Sequence, residues 1–126
     1  MAQRAFISFD YDNDARQKDL LIGQSKNPDS PFVIHDWSLK EPSSDWKARA
    51  RRQIRASGLV IVLCGRNMRT AVGVAVELKI AQEEGIPYFL LAAYTSGSTR
   101  PTTALPGDKL YTWTWPNLKA LVGGAR

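Results

Sequence analysis

Cysteine is nearly absent from the sequence, and its single occurrence, Cys64, removes several classes of protein. No intramolecular disulfide can form and no cysteine-rich zinc site can be assembled, so no oxidising compartment is implied. A lone cysteine at the end of an apolar run is expected to pack as an inert thiol, with a site-lining role ranked second. Long apolar runs are missing too, since nothing approaches the roughly twenty residues of a membrane helix. The opening MAQRAFISFD reaches an apolar strand without the extended core of a signal peptide. The expectation is a cytoplasmic protein with no membrane partner. Neither G-x-G-x-x-G nor a Walker A sequence occurs, so dinucleotide or triphosphate binding of those kinds has no support. Internal repeats and low-complexity segments are absent as well.

What is present is ordinary globular material. The chain has 126 residues, 44% of them hydrophobic and 23% charged, which suits one domain with a real core. A formal net charge of +5 fits an acidic partner, either nucleic acid or a phosphorylated small molecule. Lys47, Arg51 and Arg55 form a basic helical row, read as a solvated face. Without interleaved aromatics or a known module, nucleic acid is not the expected partner.

The stretch from Gly58 to Gly85 carries the clearest pattern. Leu59 to Leu63 is an uninterrupted aliphatic run suited to a central parallel strand, and Gly65 breaks it. From Ala71 to Glu84 the pattern is helical, with Val74, Leu78 and Ala81 in one apolar row and Val72, Val76 and Ile80 in another. A helix apolar on so many sides needs a sheet on one flank and a neighbouring element or partner subunit on another. Within it stands Glu77, whose i−4, i−3, i+3 and i+4 neighbours are Gly73, Val74, Ile80 and Ala81. None can supply a cation. Such a carboxylate must be exposed, paired from elsewhere, or functional, and burial would raise its pKa.

The remaining elements follow in order. Ala5 to Phe9 reads as a first strand, DYDND as a turn, Ala15 to Gln24 as a helix and SKNPDSP as a loop. Phe32 to Ile34 is a short second strand. LKEPSS leads to Ser44 as an N-cap, with Asp45 at the first helical position and Trp46, Ala50 and Ile54 facing inward. Pro87 to Ala92 is a buried strand, and Tyr94 to Asp108 a long polar loop. Lys109 to Trp115 alternates, with Tyr111, Trp113 and Trp115 on one face, and Pro116 opens a helix from Asn117 to Val122. This alternation predicts an α/β fold with a parallel sheet covered on both faces, a flavodoxin-like three-layer sandwich of five strands. Its ligand crevice lies beyond the carboxyl ends of the strands. That rule gathers Phe9 to Asp12, His35 to Ser38 and Cys64 to Thr70 at one rim, with Glu77 in reach.

Two occupants of such a fold fail on the residues. A receiver domain needs an acceptor aspartate where this chain has Leu63, Cys64 and Gly65. A flavodoxin needs a hydroxyl-rich phosphate loop where Asp10, Asp12 and Asp14 would repel phosphate.

The chain resembles the TIR-like family, particularly the small bacterial TIR subunits of Thoeris antiphage systems. The resemblance covers most of the chain, read as a single TIR-like domain over residues 1–126. RAFISFDYDND at Arg4 to Asp14 is similar to the family's opening strand and its acidic, tyrosine-containing loop. HDWS at His35 to Ser38 stands where the family has D-x-S. Ile54 to Leu91 resembles the strand, loop and helix that carry the catalytic glutamate in W-x-x-x-E, and Glu77 falls on that glutamate. The tryptophan of that motif is Gly73 here. VAVELKIAQEEGIP is also similar to the nucleoside deoxyribosyltransferases, in which a glutamate is the nucleophile.

The resemblance implies an enzyme that cleaves the N-glycosidic bond of NAD, an NAD glycohydrolase, cyclase or transferase releasing nicotinamide and forming an ADP-ribose-derived signalling nucleotide. The setting implied is antiphage defence. Glu77 would stabilise or attack the oxocarbenium-like state. Phe9, Asp10, Tyr11, Asp36 and Ser38 would line the substrate site, with Asp10 and Asp36 as ribose or adenosine contacts and Arg66 as the cation for the pyrophosphate. No cofactor or metal is implied, NAD being substrate. The partners implied are a homo-oligomer and an effector protein reached through the nucleotide. The alternatives are a nucleoside 2'-deoxyribosyltransferase-like enzyme and a non-catalytic TIR adaptor.

Overall fold

A computed structural model describes residues 3–38 and 45–126. Strands β1 (Gln3–Ser8), β2 (Phe32–Trp37), β3 (Val60–Cys64), β4 (Tyr88–Ala92) and β5 (Leu110–Thr112) alternate with helices α1 (Ala15–Ser25), α2 (Trp46–Ser57), α3 (Val72–Glu83) and α4 (Trp115–Val122). The five strands form one parallel sheet in the order β2-β1-β3-β4-β5. This is the expected α/β flavodoxin-like sandwich, with β3 at its centre. No helix among the described residues is long and apolar enough to cross a membrane.

Alternation along the strands divides the core into two layers. Ile7, Ile61, Leu63, Phe89 and Leu91 face one way and pack with Leu21 of α1 and Leu118 and Leu121 of α4. Phe6, Val60, Val62 and Leu90 face the other way, onto Ala50 and Ile54 of α2 and Val74, Leu78 and Ala81 of α3. Cys64 belongs to this second layer, and burial pushes its thiol well above the ordinary range, which leaves it an inert packing group.

Several boundaries differ from the sequence reading. β2 runs on to Trp37, because an edge strand can carry polar side chains through His35 and Asp36. Its register against β1 shifts between Ala5, opposite Ile34, and Phe6, opposite Asp36. The extra residue reverses the alternation and turns Asp36 to the α2/α3 side of the sheet, beside Phe6. Ser44 and the loop Leu39 to Ser44 lie outside the described residues; Asp45 occupies the cap position of α2, and the helix starts at Trp46. The last strand is only three residues long, because Thr114 caps α4: its hydroxyl accepts from the Asn117 N–H at 3.2 Å, with Pro116 in the first turn. Tyr111, Trp113 and Trp115 still pack together against the first core layer.

The two rows on α3 have different fates. Val74, Leu78 and Ala81 are buried, whereas Val72 is 71% exposed and only Ile80 of its row is buried. The segment from Tyr94 to Asp108 has no helix or strand, yet it is tied to α3: Thr103 donates to the Ala75 carbonyl at 2.7 Å and Gln82 donates to the Thr103 carbonyl at 2.9 Å. Farther along, Arg51 and Arg55 of α2 pair with Glu83 and Glu84 at the end of α3. The basic row is therefore partly an inter-helix clasp rather than a purely solvated face.

Gly65 does more than end β3. A Cβ placed on it would stand 2.0 Å from Asp14 Oδ2, because the Asp14 carboxylate packs directly on the glycine backbone. Asp14 is buried, and the Tyr94 hydroxyl donates to its Oδ1 at 3.1 Å. Gly65→Ala should therefore cost about 1–3 kcal/mol, the usual range for overpacking a core. Asp14→Ala in the same chain should restore most of the melting temperature, since it removes the atoms the methyl strikes. A single Gly65→Ala variant that melts like wild type would refute this packing.

Candidate active site

Glu77 sits in the second turn of α3 with 3% of its surface exposed. Its partners come from across the sheet. Ser8, the last residue of β1, donates its hydroxyl to Glu77 Oε1 at 2.7 Å, and Ser38, just past β2, donates to the same oxygen at 2.5 Å. Ser38 is itself fixed: its Oγ accepts the Phe9 N–H at 3.0 Å, and its own N–H donates to the Ile7 carbonyl at 3.0 Å. Three elements meet on one carboxylate oxygen. Among the described residues, no hydrogen bond to Oε2 accompanies these two.

Burial pushes the Glu77 carboxyl up to about 7, against the ordinary 4.5. The Ser38 and Ser8 hydroxyls draw it down by favouring the anion, and the negative charge of Asp36 adds a small upward push. A carboxyl near 7 is divided between its acid and anion at neutral pH, which suits a group that acts in either form.

Glu77 lines a pocket of about 240 Å³ with Phe9, Asp10, Tyr11, Ser38 and Trp46. The start of α3, from Ala71 to Val74, lines it too, together with Thr70. A second, smaller space of about 20 Å³ is also lined by Glu77, and its other lining residues include Asp36, Phe6, Trp37, Trp46 and Arg49.

The structure thus brings Phe9, Asp10, Tyr11 and Ser38 to Glu77 in one pocket, and places Asp36 in the adjoining small space. Phe9 is buried and its ring stacks on Tyr11 with centroids 5.5 Å apart, so Tyr11 presents the exposed surface of the pair. Asp10 also has a local task, accepting from the Asp12 N–H and the Asn13 side chain and so shaping its own loop. Ser38 holds the carboxylate. Arg66 does not join the pocket: its guanidinium lies 4.2 Å from the Tyr94 ring centroid and its Nε donates to the Ser96 carbonyl at 3.2 Å. Those contacts turn it toward the loop after β4, so Arg66 is not among the residues lining the Glu77 pocket. Asp14, which the sequence groups with Asp10 and Asp12, points away to Gly65 and Tyr94.

Sequence reasoning missed Ser8 and Trp46 as parts of the site, whereas Gly73 stood out as the position of the family's tryptophan. Ser8 had a readable signal, being a polar residue in the alternation position of Phe6 directly after the apolar run Ala5 to Ile7.

Glu77 also sets a pH dependence of stability. Its folded-state pKa lies above the ordinary value, so the fold favours the protonated form. That contribution is complete below about 4.5 and is lost as the pH rises through about 7. Asp14, raised chiefly by its own burial, acts in the same direction. Glu77→Gln keeps the shape without the buried charge. It should melt higher than wild type at pH 8, by up to roughly 3 kcal/mol on the linkage scale. The gap should close near pH 5. Thermal melts across that range test it, and an equal gap at both ends would show that Glu77 ionises like a surface carboxylate.

No curated protein matches the chain. A family model for the Thoeris protein ThsB, TIR-like domain, matches residues 6–99. That span holds Ser8, Ser38, Trp46, Gly73 and Glu77. Covering well over half of the sequence, it shows that the chain belongs to the TIR-like domain family of the Thoeris protein ThsB.

Proposed function

We propose that the protein is a TIR-type enzyme of antiphage defence that cleaves the N-glycosidic bond of NAD. It releases nicotinamide and forms an ADP-ribose-derived signalling nucleotide. The observation that carries this reading is Glu77 itself: a buried carboxylate held through one oxygen by two serines, on a residue that lines a pocket.

The polarity of that pocket supports a dinucleotide with a cationic ring. Glu77, Asp10 and Asp12 make one side anionic, which suits ribose hydroxyls and a positively charged nicotinamide. The first turn of α3 also lines the pocket, and it has no side-chain cap and no acidic residue. Its backbone N–H groups and helix dipole favour the pyrophosphate, in the place of the absent Arg66. When the bond between the ribose C1′ and the nicotinamide nitrogen breaks, its electron pair neutralises the departing ring. No proton is needed for the leaving group, and the positive charge moves to the ribose as an oxocarbenium-like centre. The Glu77 anion stabilises that charge in a site where solvent does not screen it.

Two measurements follow. Glu77→Gln removes the charge opposite the developing cation, and losing about 3 kcal/mol of such stabilisation lowers nicotinamide release roughly a hundredfold. Release by wild type should rise about tenfold between pH 6 and pH 8, as the carboxyl passes its pKa of about 7. Unchanged turnover in a folded Glu77→Gln protein would end the proposal.

A further inference from the structure

Gly73 lies one turn before Glu77 on the same face of α3. The fold gives no reason for a glycine there. Its φ is not positive, and a Cβ placed on it meets no atom outside its own helix backbone within 4 Å. Glycine in the first turn of a twelve-residue helix only weakens that helix relative to alanine. What the missing side chain leaves is open space at the mouth of the Glu77 pocket, which Gly73 lines.

Trp46 stands on the other helix of this layer. It is the first residue of α2, half-buried, and it lines both the pocket of about 240 Å³ and the space of about 20 Å³ beside Glu77. Trp46 and Glu77 are the two residues common to both linings. The remaining aromatic surface in the pocket is the Phe9–Tyr11 pair, which belongs to the β1–α1 side. Around the carboxylate there is thus an aromatic wall on α2 and a vacant position on α3.

We propose that Trp46 and Gly73 together set substrate specificity, Gly73 leaving room for a planar cationic heteroaromatic ring and Trp46 stacking on it. This rests on the NAD-cleaving reading above and names the part of the substrate that the two residues recognise. Tryptophan is the strongest cation–π partner among the side chains. The attraction is present while the ring carries its charge and fades as the bond breaks and the ring becomes neutral. Trp46 accordingly acts on ground-state binding more than on the barrier.

The test measures nicotinamide release from NAD, with melting temperatures alongside. Trp46→Ala should raise KM about tenfold with a much smaller effect on kcat, and Trp46→Phe should recover part of the loss. Gly73→Leu fills the vacant position, so it should raise KM about tenfold while melting no lower than wild type. A purely structural Trp46 would instead lower the melting temperature and leave KM alone, and a purely structural Gly73 would leave KM alone in Gly73→Leu; either result overturns the proposal. Calorimetric titration of NAD into Glu77→Gln, with and without Trp46→Ala, separates this from the chemistry. Weaker binding with Trp46→Ala supports the stack even if turnover is undetectable. Equal binding in the two proteins, or no binding in either, overturns it.

Discussion

Two hydroxyl protons delivered to one buried carboxylate oxygen form the constraint on which the site depends. Ser8 and Ser38 each have a single proton, and both are spent on Glu77 Oε1. To bring them there, β1 and β2 must be adjacent and end at the same level, and α3 must cross their carboxyl ends. The strand order supplies the first condition, with β1 between β2 and β3. The apolar row of Val74, Leu78 and Ala81 supplies the second by seating α3 on the sheet. The carboxylate then stands at the reversal of strand order, where open α/β sheets place their ligands.

The same geometry explains why burial has not silenced the group. An isolated buried carboxylate would be held neutral well above pH 7. Two donors on one oxygen offset part of that cost. Asp36 takes part through the bulge in β2: without the register shift beside His35 its side chain would lie on the opposite face of the sheet. A single inserted residue therefore decides whether a second negative charge faces Glu77.

The architecture was legible because its signals are local and strong. The continuous run in β3 and the two-row pattern in α3 leave few alternatives, and the order of elements then prescribes a parallel sheet. Glu77 was legible for a related reason, standing on an apolar helix with no cation at helical spacing. What escaped the sequence were properties that depend on neighbours far along the chain. The β2 extension was lost because His35 and Asp36 look like a strand's end, whereas an edge strand tolerates them. Arg66 seemed the natural anion ligand from its place after β3, but the ring of Tyr94 and the Ser96 carbonyl claim it from the following loop. Trp46 reads as an inward helix residue, and it does touch the second core layer; only the crossing of α2 with α3 reveals its other side.

The rim of the sheet holds two buried carboxylates whose surroundings differ. Asp14 and Glu77 are both almost wholly buried and both are raised by that burial. Asp14 receives the Tyr94 hydroxyl, lies against Gly65, and has Oδ2 sealed without a partner among the described residues. Its position joins the β1–α1 turn to the end of β3, and Arg66 stacked on Tyr94 extends the contact to the loop after β4. Nothing can approach it, so its altered acidity has no substrate to act upon. Glu77 differs in two respects: its charge is supported by two donors rather than one, and the residue lines a pocket. Both groups reduce stability as the pH rises, because each is a charge the interior would prefer to be without. In Asp14 that cost accompanies packing that fixes the loops of the rim. In Glu77 it maintains a partly ionised carboxylate in a dry site, poised against whatever positive charge the pocket admits.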